Sequence, residues 1–277
     1  MVIDGFDELL RRGNLQYDAL GGLIFECNRL NMDFVGSGVP AKIIVLCRTD
    51  LFERLPGPNK NKIRQDSAVH LNWFDDTRHP QKSHLITLIN HRASLKYGGP
   101  IDVFETFLPS TLATYQYEDI RGQMLDHTRH IPRDMIMLFK KVQEHSGDKP
   151  MTINQVISAL AAYSRDYFLP EMIDELDGYI EGSEIQKAIN LIGSVRKQAP
   201  TVYELREQAK VLSYSPSFDL EKILRGLFDC SAIGNIASTA GRKSYVTFKY
   251  RNRHASFNPT QRILVHRGLW KGLNLSS

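Results

Sequence analysis

VIDGFDELL (2–10) and KIIVLCRTD (42–50) decide how this chain is read. In the first, two branched apolar residues, Val2 and Ile3, run directly into Asp4, with Gly5, Asp7 and Glu8 close behind. In the second, Ile43, Ile44, Val45, Leu46 and Cys47 form a short continuous apolar run rich in β-branched residues. Such a run over 42–47 predicts a strand buried on both faces, the kind found in parallel sheets. Between the two, Leu20, Leu23, Cys27, Leu30 and Phe34 recur at spacings of three and four, which predicts an amphipathic helix. GSGVP (36–40) ends it, because Gly and Pro break helices. Strand, helix, strand is a βαβ unit, and the crossover is long enough to bring the strands parallel.

In open α/β sheets, ligands sit outside the carboxyl ends of the strands. A carboxylate there can hold the Mg²⁺ of a bound nucleotide. A further acid on the following loop can orient or deprotonate water. Asp4, then Asp7 and Glu8, suits that plan, and Gly5 would let backbone approach phosphate closely. Arg48 directly follows the second strand and is expected at the same crevice, where a cation stabilises a γ-phosphate. Plainer readings stand beside these. Asp4 could cap an acidic helix start, with Asp7 and Glu8 favouring its dipole. Arg48 could simply pair with Asp4 or Asp50.

The 277 residues allow one to two domains, and the 42% hydrophobic and 24% charged composition is ordinary for a globular chain. Charge interrupts every long apolar stretch, so no membrane span is expected. Residues 1–15 lack a basic leader, and Cys27, Cys47 and Cys230 have no metal-like or redox-like spacing; a cytoplasmic protein with reduced thiols is the expectation. The net charge of +4 conceals a division. All 31 acidic residues precede Cys230, whereas eight of the 35 Lys and Arg follow it. A C-terminal module with a separate task is implied.

Further along, LPGPNKNK (55–62) reads as a loop and VHLNWF (69–74) as a third short strand. Helices are expected over 81–97, 101–107, 153–168, 170–181, 184–195, 201–209 and 218–229, and from Asp134 along the stripe Met135, Leu138, Phe139 and Val142. SYVTFKY (244–250) and RILVH (262–266) read as the strands of a closing hairpin.

The segments VIDGFDELL, KIIVLCRTDLF and HIPRDMIMLF, in that order, resemble the STAND/KAP/AAA+-like division of P-loop NTPases. RTDLFERLPGPNKNKIRQDSAVHLNW and FKYR with ILVHRGLW are similar to its bacterial FunZ-type ATPases. The resemblance implies an α/β remnant of a P-loop parallel sheet (1–115), an α-helical lid (116–182) and a C-terminal winged helix (183–277), helix-rich overall. It implies ATP and Mg²⁺ as cofactors. Asp4 matches the Walker B metal aspartate, Asp7 and Glu8 the acidic pair after it, and Arg48 the sensor-1 arginine. Arg133 matches the sensor-2 region, with Arg129 as the alternative. No G-x-x-x-x-G-K-[ST] occurs in the chain; GGLIFEC (21–27) and GSGVPAK (36–42) lack the Lys-Ser/Thr ending. Without it there is no backbone cradle for phosphates. The family places that loop upstream of Walker B. The chain is therefore expected to be the C-terminal part of a longer or split ATPase, to need a Walker A half as partner, and to be inactive alone. A parallel sheet so deprived should expose an apolar face.

In a winged helix the third helix and the wing often contact DNA. Here the third helix is nearly neutral, with Glu221, Lys222, Arg225 and Asp229. Positive charge lies on and after the hairpin, at Arg242, Lys243, Lys249, Arg251 and Arg253 among others, interleaved with Tyr245, Phe248, Tyr250 and Phe257. Phosphate-backbone contact through these residues is the alternative function, a non-catalytic nucleic-acid-binding protein. Protein–protein contact through the same module is the other expectation. His127 and His130 are too few for a metal site and read as a surface pair.

Overall fold

The computed structural model describes residues 1–5, 17–57, 60–74, 79–112, 119–147, 149–176, 180–215, 217–237 and 244–276. The chain is helix-rich with small sheets, and its packing divides it into two units, Met1–Asn72 and Trp73–Ser277. The division falls where the cores separate. The segments 116–182 and 183–277, expected to be a lid and a winged helix, share one hydrophobic core with residues from Leu85 onward.

The first unit contains β1 (Val2–Ile3), α1 (Tyr17–Gly36), β2 (Ile44–Val45), α2 (Thr49–Arg54) and α3 (Lys60–Asp66). β1 and β2 pair in parallel, Val2 with Ile44 and Ile3 with Val45. Of the stripe expected on α1, Leu20 and Cys27 are buried, Leu30 and Phe34 are half-buried and Leu23 is exposed, with Ile24 buried in its place. Asn31 prolongs the observed stripe and holds the entry to β2, accepting from the Ile43 N–H at 2.7 Å and donating to its carbonyl at 2.8 Å. The core of this unit is small: Leu20, Ile24, Leu51, Leu55 and Ile63, with Ile3, Val45 and Cys47 packed against it. Gly57, at φ +137°, lets its loop lie on the Phe25 ring, where a Cβ would come within 2.4 Å.

Two strand expectations are corrected. The run 42–47 is paired only over Ile44–Val45, and Ile44 and Leu46 are exposed rather than buried on both faces. VHLNWF (69–74) forms no strand, and Val69 and Leu71 lie exposed.

The second unit runs α4 (His84–Tyr97), α5 (Val103–Phe107), α6 (Ile120–Asp126), α7 (Pro132–His145) and α8 (Ile153–Tyr163). A π-turn, Ser164–Phe168, joins α8 to α9 (Leu169–Leu176). Then come α10 (Gly182–Val195), α11 (Val202–Val211) and α12 (Leu220–Asp229). Starts are well specified. Ser83, Asp102, Asp119 and Asp219 cap their helices, and Thr152 and Thr201 form capping boxes with Gln155 and Glu204. The expected helix over Asp134–Val142 is α7, opened by Pro132 at its first turn.

The C-terminal sheet differs from a simple hairpin. β4 (Tyr245–Thr247) and β5 (Arg262–Val265) do not pair with each other; each pairs antiparallel with β3 (Ile233–Ala237), giving the order β4-β3-β5. IGNIA carries Gly and Asn inside a short run, which masks its strand character. A short helix, α13 (Arg267–Trp270), follows β5.

Candidate functional site

Side chains alternate faces along a strand, so the register of β1 and β2 sorts the residues around it. Ile3, Val45 and Cys47 pack on the core of the first unit. Val2, Ile44 and Leu46 occupy the other face and are 62%, 48% and 46% exposed. Asp4 continues the row of Val2, and Arg48, in extended backbone (φ −63°, ψ 142°), continues the row of Ile44 and Leu46. Both are exposed. The aspartate and the arginine thus both follow the carboxyl end of the parallel pair, Asp4 directly after β1 and Arg48 three residues after β2. One Asp4 carboxylate oxygen accepts from the Gly5 N–H at 2.7 Å, and Gly5 turns the chain away at φ +91°. Arg48 precedes α2 and its carbonyl accepts from the Phe52 N–H at 2.9 Å.

Chemically, this end of the sheet presents one hard oxygen donor and one guanidinium, which suits the metal and phosphate sides of a Mg²⁺–nucleotide in part. Asp7 and Glu8, assigned to the attacking water, lie outside the described residues. Arg133 belongs to the second unit. It is exposed at the start of α7 and its guanidinium lies 3.3 Å from Glu171. The alternative, Arg129, is buried and committed to internal carboxylates.

Of the residues assigned to nucleic acid, Arg242 and Lys243 lie outside the described residues. Lys249 donates to the Ala255 carbonyl at 2.8 Å and lies 3.8 Å from Asp229. Arg251 stacks among Phe74, Phe248 and Tyr250 and donates to Asp126 at 3.2 Å. Arg253 is exposed, with its Nε 3.2 Å from His254. Lys249 and Arg251 are thus engaged with residues of the second unit itself.

Among the described residues, buried polar side chains concentrate inside that unit. HTRH (127–130), read from sequence as surface, is buried at every position. Arg129 makes a forked pair with Asp134 (Nε to Oδ2 2.9 Å, Nη2 to Oδ1 2.7 Å), reaches Glu175 at 2.5 Å and lies over the Phe168 ring. Tyr167 donates to Asp134 at 2.9 Å. His130 sits at φ +54° with its ring stacked on Tyr250 and edge-on to Phe74. Neither of its ring nitrogens has a hydrogen-bond partner among the described residues; the same is true of Tyr163 Oη and His266 Nε2. Burial, with the charge of Arg251 adding to it, pushes His130 down to about 3; burial pushes His127 down to about 4, and His266 lies well below the ordinary range for the same reason. Burial also pushes the Cys230 thiol up to about 12, which keeps it protonated and unreactive.

Sequence reasoning missed Asp126, Asp134, Glu175, Tyr163 and His266 as members of this centre. The available signal was spacing. His127, His130 and Asp134 stand three and four apart, which on or beside a helix places them on one side. No protein-family model, no curated protein and no solved structure matches the chain. Among the described residues, no helix is long and apolar enough to cross a membrane, and no group of three or more His, Cys, Asp or Glu is arranged to hold a metal ion.

Proposed function

We propose that the first unit is the Walker B and sensor side of a P-loop ATPase, in which ATP–Mg²⁺ acts as a conformational switch. The observation that carries this is the parallel pairing of β1 with β2, with Asp4 and Arg48 in the exposed segments that follow their carboxyl ends. A two-stranded parallel sheet is a fragment of a larger one, since parallel sheets are stable when both faces are covered. The exposed row of Val2, Ile44 and Leu46 calls for such cover. In the complete site Asp4 would hold Mg²⁺ and Arg48 would contact phosphate, with Asp7 and Glu8 orienting water. Bound ATP–Mg²⁺ supplies the phosphoryl group and the charge to be neutralised. The chain has no G-x-x-x-x-G-K-[ST] of its own, so a partner segment bearing that loop must provide the phosphate cradle.

The second unit is the responding part: α10, α11 and α12 followed by β3, β4 and β5 have the element order of a winged helix. The engagement of Lys249 and Arg251 with this unit's own residues favours contact within the protein over binding of nucleic acid.

The test is reconstitution. The chain alone should show no ATP turnover. Co-expressed with a polypeptide bearing a G-x-x-x-x-G-K-[ST] loop that associates with it, it should hydrolyse ATP, with a loss on Asp4→Asn on the order of 10²-fold. Turnover by the purified chain, or a reconstituted activity indifferent to both Asp4→Asn and Arg48→Ala, sinks the proposal.

A further inference from the structure

The C-terminal segment of the second unit is seated with little room to adjust. The Ser164 hydroxyl in the π-turn donates to the Gly268 carbonyl, and its Oγ in turn accepts from the Gly272 N–H at 2.8 Å. A Cβ on Gly268 would stand 2.7 Å from both the His127 carbonyl and the Phe168 ring. Leu269 and Leu273 enter the core, Arg267 lies 3.4 Å from Asp126, and the Ser276 N–H donates to the Arg196 carbonyl at 2.9 Å. A seat this close has two states, docked or released, because small displacements create overlaps.

His266 begins the segment. Its ring stacks on Phe168 at 4.8 Å and lies edge-on to Phe248 and Tyr250. Its Nδ1 accepts from the Gly268 N–H at 3.0 Å, so docking requires the tautomer with Nδ1 unprotonated. Nε2 is buried without a partner among the described residues. The charged groups facing the ring are Arg129 from the HTRH turn and Arg251 from the turn after β4, with His127 and His130 beside them. The neighbouring carboxylates are engaged: Asp134 and Glu175 by Arg129, and Asp126 by Arg251 and Arg267.

We infer that His266 is an acid-released latch for the segment Arg267–Leu275. A proton taken from solvent onto Nδ1 turns the acceptor into a second donor facing the Gly268 N–H. It breaks that bond and places a cation beside two arginines in a dry site. The docked segment excludes the proton; the released one admits it. The sign follows from linkage. A histidine neutral when docked and ordinary when released favours docking fully above about pH 6.5, and loses that advantage as pH falls. With a released-state value of about 6.5, opening becomes roughly 25-fold more favourable between pH 7 and pH 5.

Hydrogen exchange of the intact chain tests this, after correction for the intrinsic pH dependence of amide exchange. In the unmodified protein, protection of residues 267–275 should fall roughly 25-fold from pH 7 to pH 5, with α7 and α8 retaining theirs. His266→Asn keeps a capping oxygen that does not titrate; its segment should change less than about threefold, the residue expected once a single-proton term is removed. Protection in the unmodified chain that is flat with pH overturns the inference, whatever the variant does. So does an equal loss across α7 and α8, or an undiminished pH response in His266→Asn.

Discussion

The two units solve the same problem to different extents. The second closes a hydrophobic core that runs from Leu85 to Leu273 and locks a polar centre inside it. The first buries Leu20, Ile24, Leu51, Leu55 and Ile63 and leaves one face of its sheet to solvent. Stability grows with the fraction of surface buried, so the small unit has little margin and the large one has much. The difference teaches that a single chain can combine a large, well-filled core with a much smaller one that leaves a sheet face exposed. Both tryptophans, Trp73 and Trp270, lie in the second unit, so indole fluorescence reports that unit alone.

The largest effect should come from Arg129. Arg129→Leu leaves Asp134 and Glu175 without their cation, and removing one partner of a buried pair costs about 3–5 kcal/mol. The tryptophan-monitored urea midpoint should drop accordingly. A change of less than about 1 kcal/mol, the range of an exposed pair, would show that the centre is not the structural keystone of its unit. In the first unit, Leu51→Ala should cost about 2–5 kcal/mol. That exceeds what so small a core can spare, and the amide signals of residues 17–57 should collapse. The tryptophan transition should stay in place; if it moved with the variant, the units would not be energetically separate.

How much of this was legible in the sequence follows the same division. The βαβ order was readable because β-branched runs, helix spacing and Gly-Pro breaks all act locally. The helix starts of the second unit were readable for the same reason, since Thr152, Thr201 and Pro132 announce them. What was hidden depends on long-range packing. IGNIA is a strand because β4 and β5 flank it, not because of its own composition. HTRH looked like surface because four polar residues in a row usually are; only Arg129 meeting Asp134 and Glu175 makes its burial tolerable. The parallel pairing of the strands that precede Asp4 and Arg48 was legible; a common site for the two residues belongs to the proposal. Asp7 and Glu8 fall outside the described residues and add nothing to that judgement.

Acid sharpens the contrast next. His127 and His130 are held neutral by burial, at about 4 and about 3. For a base whose folded value is depressed, the unfolded chain binds the extra proton, so stability is intact above about pH 6.5 and falls as pH drops below it. Each histidine should cost about 1.4 kcal/mol per pH unit down to its folded value. Urea midpoints of the second unit should therefore fall steeply between pH 6 and pH 4. His130→Asn, which tolerates the left-handed backbone, should reduce the slope by about one proton; an unchanged slope would show that His130 does not contribute. A smaller effect belongs to the capping box of α11. There Thr201 accepts from the Glu204 N–H at 3.1 Å, and Thr201→Ala should lower the same midpoint by about 1 kcal/mol.

The smallest expected change is the most telling for the open face. Leu46→Thr alters a residue that is 46% exposed, whereas Val45→Thr, one position away, alters a side chain packed on the core of the first unit. In the chain alone, the first should stay within about 0.5 kcal/mol, as surface substitutions do, while the second, burying a hydroxyl, should cost at least about 1 kcal/mol. The order should reverse when the partner segment is present. Cover over Val2, Ile44 and Leu46 would turn Leu46 into a core residue, and Leu46→Thr would then weaken association while leaving the isolated chain untouched. If association were equally indifferent to Leu46→Thr and to Ile44→Thr, the face would be exposed in the assembled protein as well, and the exposed row would cease to argue for an incomplete sheet.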